Sequence, residues 1–518
     1  MPMQIIMNDH IELKYYKRCI EEINRKYPFD AVLDREAIID VCDTCINILA
    51  QDFTNEIRKY KHPQDLFQFM LIYSDLAIDK PHSETSHILM QMCRYIFILI
   101  PNLNLSHQAT PIINTGACDL SEIFFITKLL DKISQQRAIQ IMNEECVFQL
   151  YRNTSVFEMI YTDDSLVKAH TLLNQQNNAN SLFRKHCFNY SVLKQFREEL
   201  FNAFGEVTDK LFDIVCNTQP ANINLNNISF REFKDIIEGR IPERIQILKV
   251  VNISKLFLEY PHNAYLEGLL LSSNNSDIHT AINKPYNKNL RTRYRPILEF
   301  NIDGKKEYHI APFMFQEAIE EICGNLLPFK EFPDEWTSNQ TINNFAKKLF
   351  QEHDKWLENL VVNIITKSGY RFLQNKKSIN NISLEKADAY IGQKHFPNSH
   401  VGEIDFIVID ISAQTVYVID AKHIKTRYHL QSFAADSSKF IGAKGYNEKL
   451  SFKVEWIKKH LSDVGKESGH DCSNYSVQGL FVTETFVYYG ISSLFPIIPI
   501  AWLNEYFITN DKLCFLKQ

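Results

Sequence analysis

Apolar residues in the first half of the chain recur at helical spacing. Ile38, Ile39, Cys42, Cys45, Ile46, Leu49, Phe53 and Ile57 fall on one stripe of an α-helix. The same period runs through stretches within 85–100, 120–150, 192–216 and 240–258. It breaks at Lys80-Pro81, Ile100-Pro101 and Thr110-Pro111, and across the turn-rich segment from Asn217 to Ser229. Residues 1–280 therefore read as a mainly helical region with a sub-boundary near 217–229. No repeat of fixed period appears.

The pattern changes after 280. Arg295 to Phe300 and Glu307 to Ile310 flank Asp303-Gly304, the signature of a tight hairpin. A helix from Pro312 to Leu327 follows, then Pro328 and Pro333. Residues 281–343 thus read as a connecting hairpin and helix, with a domain boundary near Glu335 to Asn344. Beyond it, Phe345, Leu349, Trp356, Leu360 and Ile364 are helix-spaced. Gly369 stands where a left-handed residue closes a helix, and Tyr370 to Leu373 form a short strand. Gly402 to Asp410 and Val416 to Lys422, rich in Ile, Val and aromatics, predict a hairpin turning through Ser412 to Thr415. Tyr446, Leu450, Val454, Ile457 and Leu461 predict an amphipathic helix, and Val477 to Thr483 a last strand. The fold class is multidomain: a mainly α N-terminal region, then an α/β domain over 344–518.

Charge interrupts the apolar hairpin at chosen places. Side chains alternate along a strand, so Asp420 and Lys422 share a face with Val416 and Val418, and Asp405 shares one with Ile407 and Ile409. An unpaired charge on such a strand is costly. A divalent cation between the carboxylates removes that cost. Hard cations such as Mg²⁺ take carboxylate oxygens and keep waters, one of which can become a nucleophile.

Asp, a hairpin, then Asp-x-Lys resembles the PD-(D/E)XK nuclease superfamily, whose fold is restriction-endonuclease-like. Gly402-Glu403-Ile404-Asp405, followed by a strand ending Asp420-Ala421-Lys422, is similar to its Holliday-junction-resolvase-like and Mrr-like branches. Asp420 stands where many members carry Glu, and Gly402 where the family name has Pro. The resemblance covers roughly Asn344 to Gln518. It implies an αβββαβ core and metal-dependent hydrolysis of DNA phosphodiester bonds. It further implies Asp405 and Asp420 as Mg²⁺ ligands, with Mn²⁺ as a substitute and the Ala421 carbonyl as a further ligand. Glu358, beside Val361, Val362 and Ile365 on the preceding helix, matches the first-helix glutamate that binds a second ion or its water shell. Lys422 would position or help deprotonate the attacking water. Glu403, on the opposite face from Asp405, His423 and Gln431 are candidate substrate contacts. So are Arg291 and Arg293 of the basic run from Lys284 to Arg295, where two tyrosines are interleaved; the same composition also suits a solvated connector.

Composition bounds the rest. A chain of 518 residues with 45% hydrophobic and 12% aromatic residues suits two or three folded domains. Met1 to Asp9 lack a signal-peptide pattern, and no apolar run reaches membrane-span length. Eleven scattered cysteines fit a reducing cytoplasm without a disulfide framework. Cys42-x-x-Cys45 lies in a helical stripe without a second pair at zinc spacing, which favours packing; His82 and His87 read as incidental. No P-loop, Gly-x-Gly-x-x-Gly or Gly-x-Ser-x-Gly occurs, so no ATPase motor or hydrolase triad is expected.

The net charge is −6, but from Phe345 onward 21 Lys and Arg face 18 Asp and Glu, leaving 35 against 44 for the remainder. The acidic N-terminal region suits a protein-facing or regulatory role better than DNA binding. Cutting two strands needs two sites, so a homo-oligomer is expected, most simply a two-fold dimer gated by that region. By analogy of architecture, the setting is prokaryotic defence against phage, or restriction. Two rivals stand beside this reading: a catalytically inactive nuclease-fold scaffold, and an RNA-directed nuclease.

Overall fold

The stripe from Ile38 to Ile57 becomes a helix over Arg35–Ile57, started by the Asp34 carboxylate, which accepts from the Ala37 N–H at 2.8 Å. Its inward residues Val41, Cys45, Ile46, Leu49 and Phe53 are buried in one core with residues of helices Pro63–Asp79, Glu84–Leu99 and Ser121–Met142. The computed structural model describes residues 3–4, 9–27, 33–79, 84–112, 118–142, 190–217, 250–275, 277–283, 293–425, 430–442, 444–491 and 493–514. The sub-boundary near 217–229, the break at Lys80-Pro81, the segments 143–150 and 240–249, His82 and Arg291 fall wholly or mostly outside these residues. Among the described residues no helix is long and apolar enough to cross a membrane. They divide between Leu349 and Phe350 into two compact units.

The first unit is helix-rich but carries a sheet. Its strand order is Asn104–Leu105, Ile297–Ile302, Lys305–Ile310, Val251–Asn252, with Leu270–Leu271 also paired to Ile297–Ile302. Asp303 and Gly304 turn the hairpin with φ of 50° and 75°, the two left-handed residues that a type I′ turn demands. The segment 281–343 is more than a connector. Leu298, Phe300 and Ile302 enter the helical core, while Ile297 and Ile310 enter a second core with Phe196, Tyr265 and Trp336. Leu298, Phe300 and Ile302 make one face of the strand wholly apolar, whereas the other carries Ile297, Glu299 and Asn301, with the buried Glu299 carboxylate paired to Lys306 Nζ at 2.9 Å. The expected helix from Pro312 is α-helical to Glu321 and continues as a π-helical turn over Ile322–Leu326.

The second unit is α/β. Its leading helix α1, Gln340–Lys367, contains the division between the units, which therefore falls inside a helix rather than in the Glu335 to Asn344 segment. The apolar stripe runs the helix's whole length: Ile342, Phe345 and Leu349 are buried near its start, Leu357, Val361 and Ile365 near its end. After Gly369, with φ of 75°, come β1 (Arg371–Lys376), β2 (Ile404–Asp410) and β3 (Thr415–Lys422). Helices α2 (Leu430–Ile441) and α3 (Tyr446–Lys459) lead to β4 (Ser476–Thr483), β5 (Ile497–Pro499) and helix α4 (Leu503–Thr509). The sheet order is β5-β4-β3-β2-β1. β1 and β3 run antiparallel to β2, whereas β3, β4 and β5 are mutually parallel. Parallel neighbours need a long crossover, and α2 and α3 fill the one from β3 to β4.

The β2–β3 turn is Ile411–Gln414, one residue earlier than the spacing suggests, because Thr415 already pairs with Asp410. The Asp410 carboxylate holds the turn by accepting from Ala413 N at 2.9 Å and Ser412 Oγ at 2.6 Å. Alternation assigns the two faces as expected. Ile407, Ile409, Val416 and Val418 bury with Leu450, Val454 and Ile457 of α3. On the other face Tyr417 meets Tyr506 and Phe507 of α4. An additional hairpin, Asp388–Ile391 with Lys394–His400, lies between β1 and β2 in the chain. Its Phe396 meets Phe452 of α3 at 5.1 Å between ring centroids.

Candidate active site

Gly402 has φ of 75°, a left-handed conformation that costs glycine little, and it leads the chain into β2. The β2–β3 ladder ends at Phe406 opposite Ile419. One further step along that register would set Asp405 across from Asp420. β3 instead continues alone beside β4, as far as Lys422 opposite Thr483. The Ala421 N–H donates to Asp405 Oδ2 at 2.8 Å, so the carboxylate takes over where the ladder stops.

Asp420 is buried at 1% exposure. Its Oδ1 accepts from Lys453 Nζ and its Oδ2 from Lys422 Nζ, each at 2.8 Å. Lys422 also lies over the Tyr446 ring, 5.2 Å from its centroid. Burial opposes ionisation of Asp420, but the two ammonium groups outweigh it and hold the carboxyl below its usual range. Asp405 moves the other way: burial and then the neighbouring Asp420 charge push it up. Among the described residues no ammonium lies within ion-pair distance of Asp405. Burial disfavours the Lys422 charge, yet Asp420 and Asp405 outweigh it and raise its pKa. The site is thus a half-buried carboxyl that lacks a cation of its own, beside a carboxylate clamped by two lysines.

The other expected residues divide. Glu358, on α1, is half-buried and accepts from Asn375 Nδ2 of β1 at 3.2 Å. Glu403 lies 3.6 Å from Lys377 Nζ at the surface. Gln431 is in the first turn of α2. Arg293 belongs to the first unit, where its guanidinium donates to Glu317 at 3.1 Å and lies 3.8 Å from Glu321; its charge is spent on that network. His423 turns to the opposite sheet face from Lys422. Its Nε2 is 3.3 Å from Asp354 Oδ1 and its ring centroid 3.8 Å from that of His353. Burial pushes His423 down to about 4, against the opposing effect of Asp354, so it is neutral near pH 7. Cys42 and Cys45 are buried in the helical core, and burial pushes the Cys42 thiol up to about 12, which keeps it protonated.

Lys453 is the site residue that sequence reading missed. It lies three residues after Leu450 and four before Ile457, a cation inside an apolar stripe, and that placement was the available signal. His353, four from both Leu349 and Leu357, carries the same signal on α1. Glu484, one residue beyond β4, carried none. No known family model matches the chain, and neither curated proteins nor solved structures give a match.

Proposed function

We propose that the second unit is a PD-(D/E)XK-like, restriction-endonuclease-like domain, and that the protein is a metal-dependent endonuclease acting on DNA phosphodiester bonds. One observation carries the reading: Asp405, a carboxyl pushed up by burial and by Asp420, sits without its own cation next to an Asp-x-Lys strand end. That donor set fits a hard divalent cation, Mg²⁺ or Mn²⁺, held by Asp405, Asp420 and the Ala421 carbonyl. When bound, the cation supplies Lewis-acid charge and a water of lowered pKa. Lys422, kept charged and aimed by Asp420, would orient the attacking water and offset charge building on the phosphate. Lys453 acts through Asp420 and is a positioning residue. Glu358, tied to Asn375, would contribute through the water shell. Retention of Asp405, Asp420 and Lys422 together favours an active enzyme over a scaffold. The acidic first unit is the natural candidate to gate cleavage within a homodimer, in an antiviral or restriction setting.

The test is plasmid nicking and RNA cleavage by the purified full chain with Mg²⁺, Mn²⁺ or chelator. Asp405→Asn preserves an acceptor for the Ala421 N–H, and Lys422→Met preserves side-chain length. Each should lower metal-dependent DNA nicking by at least about a hundredfold while circular dichroism stays unchanged. Equal nicking by both variants would remove the site assignment, and cleavage of RNA alone would remove the DNA assignment.

A further inference from the structure

A second cluster lies on the opposite face of the same sheet. His353 of α1, His423 just beyond β3 and Glu484 just beyond β4 each offer a ligand atom, and the three atoms lie within 4.8 Å of one another. Three separate chain segments converge here, all inside the second unit. His353 and Glu484 are each 1% exposed at the side chain and His423 8%. Hydrophobic packing does not require two imidazoles and a carboxylate at this depth, and such groups are costly to bury unless they are satisfied.

Two details point to a ligand rather than to a self-contained hydrogen-bond network. The first is His423. Its Nε2 faces the Asp354 carboxylate at 3.3 Å, while its Nδ1 is buried and has no hydrogen-bond partner among the described residues. A carboxylate on one imidazole nitrogen sets the tautomer and leaves the other nitrogen bare; this is the second-shell arrangement of a metal-bound histidine. The second is spacing. His353 Nε2 and Glu484 Oε2 are joined by a long hydrogen bond of 3.3 Å, at the weak end of the usual range. That separation matches the edge of a tetrahedron, about 3.3 Å, built on metal–ligand bonds of about 2.0–2.1 Å.

We propose that His353, His423 and Glu484 form a transition-metal site of the Zn²⁺ class, separate from the Asp405–Asp420 pair and tying α1 to the ends of β3 and β4. Two imidazole nitrogens and one carboxylate oxygen are a donor set that Zn²⁺ accepts and Mg²⁺ does not favour. Three protein ligands leave a fourth position for water. The two sites differ in donor chemistry, so they should load with different ions.

Full-length protein is stripped with chelator, dialysed, and titrated with ZnCl₂ by calorimetry, with bound metal counted by elemental analysis. The expected result is one tightly held Zn²⁺ per chain and a rise in melting temperature. Replacement by Co²⁺ should give visible d–d bands of four- or five-coordinate intensity. His423→Ala and the near-isosteric Glu484→Gln should each weaken this binding at least about tenfold and lose the Co²⁺ bands. Asp405→Asn, in the other site, should keep both. Should either variant fail to fold by circular dichroism, the Co²⁺ spectrum of the wild type decides alone. The proposal is overturned if the stripped wild type takes up no Zn²⁺, if its Co²⁺ spectrum is that of octahedral water and oxygen ligands, or if folded His423→Ala and Glu484→Gln bind like wild type.

Discussion

Asp420 offers the sharpest energetic test. Its two oxygens are each held by an ammonium at 2.8 Å, and the Lys453 side chain is only 9% exposed. Asp420→Asn removes the carboxylate bonded to both lysines and leaves a buried ammonium facing a neutral amide. Breaking a buried pair in this way costs about 3–5 kcal/mol. Lys453→Met is milder, because Asp420 keeps Lys422; it loses one charged hydrogen bond, about 1.5–3 kcal/mol. In the double variant the cation stranded by Asp420→Asn is gone, so the two costs should fall short of their sum by about 1.5–3 kcal/mol. A chain of two units need not unfold in one step. Native-state hydrogen exchange of the α3 and β3 amides is therefore the assay, since it reports the opening of this region itself. Additivity within about 0.5 kcal/mol would show that Lys453 and Asp420 do not depend on one another, and the account of the clamp would fail.

Three further outcomes follow from other contacts. Glu358→Gln should raise the Mg²⁺ needed for half-maximal nicking about tenfold with little change in maximal rate; wild-type metal dependence would make Glu358 only a flank residue of α1. In the first unit, burial opposes the Glu317 carboxylate, but Arg94, 3.0 Å away, and Arg293 outweigh it and hold it at about 2. A depressed carboxyl stabilises fully above its ordinary value and loses that contribution as pH falls through the folded value, so acid melting of wild type should lose on the order of 2 kcal/mol between about pH 5 and 2. Glu317→Gln should flatten that limb, and an unchanged slope would count against the network. Sedimentation of the full chain should show a dimer, and a strict monomer would remove the paired-site reading.

Much of the second unit was legible because its signals are local. Period-3.6 stripes mark α1 and α3, period-2 alternation assigns Ile407, Ile409, Val416 and Val418 to one face, and Asp405, Asp420 and Lys422 stand out as charges on those strands. Gly369 and the Asp303-Gly304 pair were readable because left-handed backbone restricts residue choice at single positions. Other features are set by distance in space rather than in sequence. The hairpin Ile297–Ile302 with Lys305–Ile310 looked like a connector because nothing local says that both its faces will be covered. Glu358 shares a helix face with apolar residues, but only the packing of α1 over β1 decides that its carboxylate meets Asn375. Lys453 reaches Asp420 across 33 residues and His353 reaches Glu484 across 131. The strand and helix patterns, and the charges placed on them, follow from the chain alone; which charges meet depends on how α1 and α3 close over the two faces of the sheet, because burial selects partners only once those faces are assembled.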